Sequence, residues 1–206
     1  LKRGRSAVTK FLNRTYGETA WTRGAVHDWL KAISPHYVID VNRDTQLQDS
    51  YADVLHNLIV GIARIGGTDF RYKLCLWDGI AYQKSGLINP ALPILFKPMG
   101  TPKPEANYIA SDADYVDFIT ELMGGFSIPP EVKELRKGKQ YLFMGLRLNR
   151  DTERMVMSDM IYSAAEPAGW ALINNPTDKE RRFCKKQKLE LIEADVFDLI
   201  GAPIAA

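Results

Sequence analysis

An α/β fold, a mostly parallel sheet with helices on both faces, follows from three features of this sequence. From residue 140 onward, short apolar runs alternate with helical segments. "QYLFMGLRL" (140–148), "GWALI" (169–173) and "LELIEA" (189–194) read as strands. "RDTERMVMSDMIYSAA" (150–165), "PTDKERRFCKKQK" (176–188) and "VFDLIGA" (196–202) read as helices between or after them. The strands are apolar on both faces, as strands of a parallel sheet covered on each side are. No repeat, low-complexity run or long linker interrupts the 206 residues. A single domain over 1–206 is therefore expected, with a helical segment at 1–34 and a sheet core at 35–206.

The first half supplies the remaining elements. Val8, Phe11 and Leu12 recur at helical spacing within residues 1–16, and Val26, Trp29, Leu30 and Ile33 do so up to Ser34, where Pro35 stops the helix. "YVIDV" (37–41) is a strand by its β-branched content. The polar loop "NRDTQ" follows, and "LQDSYADVLHNLIVGIARIGG" (47–67) reads as a helix closed by paired glycines. "FRYKLCLW" (70–77) is a strand, "DG" its turn, and "IAYQK" (80–84) its hairpin partner. "LPILFK" (92–97) is another buried strand. Ser111 or Asp112 starts a capped helix that ends at Gly124, and "IPPEVKELRKG" (128–138) is a short helix begun by proline.

Composition narrows the function classes. The longest apolar runs, such as "HNLIVGIA", are too short for a membrane span, and no apolar stretch follows the basic N-terminus as a signal peptide requires. A net charge of +2 is too small to argue for nucleic acid. Lys2, Arg3, Arg5, Lys10 and Arg14 form a basic opening that reads as a solvated helix face or as a binding arm. Cys75 and Cys184 lack zinc or disulfide spacing, so each is expected to be a small buried hydrophobe in a reducing, cytoplasmic setting. His27, His36 and His56 form no metal-ligand pattern, and no metal is expected. There is no nucleophile elbow and no P-loop.

Ligands of such sheets bind beyond the carboxyl ends of the strands, and three strand ends carry candidates. At the first, Asn42 can donate and accept, and so can orient a water or hold a ribose hydroxyl; Asp44 can fix Asn42 or cap the next helix. At the second, Met99 precedes Gly100; a thioether fills apolar space and moves no proton. At the third, Gly145 permits close backbone approach. Arg147, Arg150 and Arg154 follow it, suited either to an anion or to carboxylates such as Asp151 and Glu153.

In order and spacing these stretches resemble the bacterial sirtuin-like (SIR2-like) domain family from about residue 25 to 200. "DVNRD" (40–44) stands where that family has Thr-Thr-Asn-Tyr-Asp, and "KPMGT" (97–101) where it has Lys-Leu-His-Gly-Ser. "SDADYVDFI" (111–119) takes the place of its Asp-Tyr helix start, and "FMGLRLNRDTER" (143–154) that of Gly-Tyr-Ser-Leu. The resemblance implies a Rossmann-like fold that binds NAD, with Asn42, Gly100, Gly145 and Arg147 at cofactor-contacting positions. It also implies lysine deacylation or NAD hydrolysis, with Asn42 and Asp44 as the retained catalytic candidates.

Three departures alter that expectation. Met99 occupies the position of the general base and Arg147 that of a small serine, while Asn42, Asp44, Lys97 and Gly100 are kept, though Arg43 replaces the tyrosine. The family's opening Gly-Ala-Gly loop is absent as well; either the sequence begins after it or the protein lacks it. The favoured expectation is a domain that binds NAD or ADP-ribose without the usual catalysis, as a nucleotide sensor or as an interaction module for a protein partner or neighbouring domain. The alternatives are an active NAD hydrolase or deacylase using Asn42 and Asp44, and a scaffold without ligand.

Overall fold

A computed structural model describes residues 2–64 and 69–201. It divides into two compact units, Leu1–Ser127 and Ile128–Ala206. In the first, helix α1 (Lys2–Leu12) runs into a π-helical turn at Asn13–Glu18, and α2 (Ala25–Ile33) ends where Ser34 turns left-handed. Strand β1 (Tyr37–Ile39) and the short α3 (Gln46–Ser50) follow. Next come β2 (His56–Gly61), β3 (Tyr72–Trp77), β4 (Tyr82–Lys84) and β5 (Ile94–Lys97). β6 (Gly100–Thr101) and β7 (Asn107–Tyr108) form a separate two-stranded ribbon before α4 (Asp112–Met123).

The main sheet has the order β1-β5-β2-β3-β4. β5 pairs in parallel with β1 and β2, while β3 and β4 add antiparallel strands at one edge. One face carries Val38, Leu58, Val60, Cys75 and Leu95, against which Leu30 of α2, Leu47 of α3 and Tyr51 just after α3 pack. Ile59, Ile94 and Phe96, at the alternate positions of β2 and β5, are buried too.

The helix expected over 47–67 is corrected here. It stops at Ser50, and His56–Gly61 is the central strand β2, every residue of which is buried. A strand between two others buries both faces, so its apolar run carries no period-two signature and reads equally as helix. The paired glycines expected to close that helix, Gly66 and Gly67, lie outside the described residues.

The second unit holds α5 (Pro130–Leu135), β8 (Tyr141–Phe143), α6 (Asp151–Met160), β9 (Gly169–Leu172), α7 (Asp178–Lys186), β10 (Leu189–Ile192) and α8 (Val196–Ile200). Its sheet is wholly parallel, in the order β10-β9-β8. Phe143, Ala171 and Leu189 are buried, as are Val156, Met157 and Met160 of α6 and Phe183 and Cys184 of α7. Leu142, Trp170, Leu172 and Ile192 line an open apolar groove with Ala194 and with Asp198 and Leu199 of α8. β8 is shorter than the apolar run 140–148 suggests. Gly145 takes φ +66 and turns the chain away before Leu148. Cys75 and Cys184 are both buried and unbridged.

Candidate functional site

In the first unit, the carboxyl ends of β1 and β5 lie side by side, since Ile39 pairs with Phe96. Asp40 follows β1 and Lys97 closes β5. Lys97 Nζ reaches Asp40 Oδ2 at 2.6 Å, with the lysine side chain wholly buried and the aspartate 11% exposed. The Asp40 amide donates to Phe96 O at 2.8 Å. Asp40 Oδ1 accepts the Asn42 amide at 2.9 Å, which bends the chain into a turn. The exposed Asn42 carboxamide has no hydrogen-bond partner among the described residues.

The next residues are engaged locally. Arg43 donates to Ile109 O at 2.5 Å and to the Tyr115 hydroxyl at 2.9 Å, tying the turn to the approach to α4. Asp44 Oδ1 accepts the Gln46 amide at 2.9 Å, a turn bond that leads the chain into α3. Met99 is 5% exposed, and its carbonyl accepts the Ile109 amide. Gly100 takes φ +85, and a Cβ there would lie 2.0 Å from Asn107 O, so the pairing of β6 with β7 itself demands glycine. Thr101 and Gln48, both buried, share a 2.7 Å hydrogen bond below this ribbon.

α4 begins where the sequence places it. Ser111 Oγ accepts the Asp114 amide, and Asp114 Oδ2 accepts the Ser111 amide. Arg5 of the basic opening pairs with Asp114. Burial opposes ionisation of Asp114, but the Ser111 amide, Arg5, the Ser111 hydroxyl and the Ala110 amide outweigh it and hold the carboxyl below its usual range.

Two histidines sit away from the Met99 tip. His36 precedes β1 and His56 begins β2, at the amino ends of parallel strands. His56 was expected inside a helix; it is instead wholly buried among Tyr51, Trp77 and Tyr82. His27 Nδ1 lies 3.2 Å from Gly24 O at the start of its own helix.

In the second unit, a Cβ on Gly145 would meet no atom within 4 Å, so its backbone faces open space. Arg147 turns to the loop before α7. It donates to Asn174 O at 2.7 Å and lies 3.3 Å from both carboxylate oxygens of Glu180. Glu180 is wholly buried and also accepts the Thr177 and Leu148 amides, at 2.8 and 3.1 Å. Burial opposes its ionisation, but the Thr177 amide and hydroxyl, the Leu148 amide and Arg147 prevail and lower its pKa. Arg154 donates to Leu148 O at 2.6 Å and pairs with Asp151. The Arg150 side chain is exposed.

Two organising residues escape a reading by motif. Asp40 looks like one more strand residue, although an aspartate at the end of a strand can accept the backbone amide two residues on, as in an Asx turn. Glu180 is announced by Thr177-x-x-Glu180, a capping box; its bond to Arg147 spans 33 residues and has no local signal.

No curated protein matches this chain. The model of the SIR2-like domain matches residues 36–192, which takes in the Asn42 turn, the Met99 tip, the start of α4 and the Gly145–Arg147 stretch, and covers well over half of the sequence. The chain therefore belongs to the SIR2-like domain family.

Proposed function

We propose that this chain is a nucleotide-binding SIR2-like domain that holds NAD or ADP-ribose without turning it over, as a sensor or as an interaction module. SIR2-like domains generally bind NAD. The observation that carries the reading is Met99: a buried thioether stands where the family's base is expected, and it can neither take nor give a proton.

The residues present fit such a ligand in part. The Asn42 carboxamide is exposed and free to pair with a ribose hydroxyl. NAD, when bound, supplies the nicotinamide–ribose bond as the point of cleavage. In the first unit Asn42 would bind and orient the ribose, while Asp44 is occupied with the Gln46 amide.

The test is calorimetry with NAD and with ADP-ribose, with nicotinamide release followed on the same sample. Binding without release is the expected result. Release overturns the loss of catalysis and favours a hydrolase using Asn42. No binding favours a scaffold without ligand.

A further inference from the structure

We infer that Asp40 is a positioning residue of this site, which presets the Asn42 turn by clamping it to the end of β5; the inference rests on the nucleotide reading above. One carboxylate serves two elements. Its Oδ1 takes the Asn42 amide at 2.9 Å and its Oδ2 takes the Lys97 ammonium at 2.6 Å. The Lys97 side chain is wholly buried, so rotation of the carboxylate would leave an ammonium without a counter-ion in the interior. The carboxylate is thereby locked, and so is the turn it holds.

Among the described residues the Asn42 side chain has no hydrogen bond of its own to direct it. Its aim is set by the backbone, and the backbone by Asp40. A carboxamide offers a donor and an acceptor side by side, which matches the vicinal hydroxyls of a ribose. Asp40 thus acts on recognition through Asn42 and not by its own contact. Its influence belongs to the terminal ribose of ADP-ribose, a second vicinal diol that AMP, with its adenosine ribose alone, lacks.

Removing Asp40 alone strands Lys97, so the main variant is Asp40→Ala together with Lys97→Met, with Asp40→Asn as the milder second variant. Three readouts apply: amide hydrogen exchange at Asn42 without ligand, affinity for ADP-ribose and for AMP, and the same affinities with Asn42→Ala added. In the Ala/Met chain, exchange at Asn42 rises about tenfold, ADP-ribose weakens about tenfold, and AMP stays within about twofold. Adding Asn42→Ala costs less than about twofold more, because two residues acting through one contact are not additive. Asp40→Asn keeps one acceptor of two and gives about a threefold change in exchange and in ADP-ribose affinity.

Unchanged exchange at Asn42 in both variants overturns the clamp. Equal losses for ADP-ribose and AMP overturn positioning in favour of a general structural role. Additive losses with Asn42→Ala overturn action through Asn42. An unaltered chain that binds no ADP-ribose overturns the nucleotide reading instead, and the exchange measurement still decides whether Asp40 holds the turn.

Discussion

His56 Nε2 lies 2.8 Å from the Tyr82 hydroxyl while its Nδ1 lies 2.7 Å from Val54 O. A carbonyl only accepts, so Nδ1 carries the proton and Nε2 accepts from Tyr82. The ring is neutral, stacked near Trp77 and edged by Tyr51 and Tyr82. Burial lowers the His56 pKa from its ordinary 6.5, with the Val54 carbonyl opposing.

The sign of the pH effect follows. Below pH 6.5 the unfolded chain takes a proton at this residue and the folded chain does not, until the lowered folded pKa is passed. Stability from His56 is complete above pH 6.5 and falls as the pH drops through that window. Urea midpoints measured between pH 7.5 and 5 should decrease. Tyr82→Phe leaves Nε2 without its donor and should cost about 1–2 kcal/mol at neutral pH.

Gly100 and Gly145 both have positive φ but differ in surroundings. Gly100→Ala drives a Cβ into Asn107 O and should cost at least about 3 kcal/mol, by strain and clash together. Gly145→Ala meets open space and should cost about 1 kcal/mol, the left-handed penalty alone. Thermal melts of the two variants compare them directly; equal losses would contradict the contrast.

Glu180 holds the start of α7, the Leu148 amide and Arg147 together. Glu180→Ala leaves the buried Leu148 amide unpaired and removes the acceptor of the Thr177 amide and of Arg147, and should cost about 2–3 kcal/mol. Arg147 is half exposed, so Arg147→Ala should cost under about 1 kcal/mol. The lowered pKa of Glu180 means its contribution is present above pH 4.5 and is lost as the pH falls through the folded value. Acid titration of the Glu180→Gln chain should therefore show a shallower loss at low pH than that of the unaltered chain.

Met99→His places an imidazole at a buried strand tip and should cost about 1 kcal/mol while keeping the fold. If the missing base is the sole defect, nicotinamide release from NAD appears in this variant alone. Our expectation is continued silence, because Arg147 still stands at the position where the family has a serine. Adding Arg147→Ser then tests the second departure by the same assay.

Most of the elements were legible where local rules operate. Ser111 and Gly124 bound α4 because capping is a matter of a few adjacent residues. The alternation after residue 140 gave β8, β9 and β10 in their correct places. β2 was misread because burial on both faces removes the periodicity that separates strand from helix. Asn42, Asp44 and Gly145 stood out as candidates by residue type and by their place after strands, and Met99 only through the family resemblance. The partners of Arg43 and Arg147, at Tyr115 and Glu180, lie far along the chain and are set by tertiary packing alone. Gly100 pointed toward a ligand in sequence, whereas its geometry is already explained by Asn107.

Under the nucleotide-binding reading proposed above, the placement of β5 couples folding to recognition. β1 has no other partner in its sheet, and β2 meets β1 only across β5. The Asn42 turn is thus secured by a lysine 57 residues beyond the aspartate that holds it. Closing so long a loop is a late, entropically costly step, while the β2–β3–β4 meander can form from near neighbours. A chain that stalls before β5 inserts would own most of its secondary structure and yet lack any ordered recognition surface on this side. Binding competence in this unit would then arise with the last strand, which makes a ligand-binding signal a reporter of completed folding.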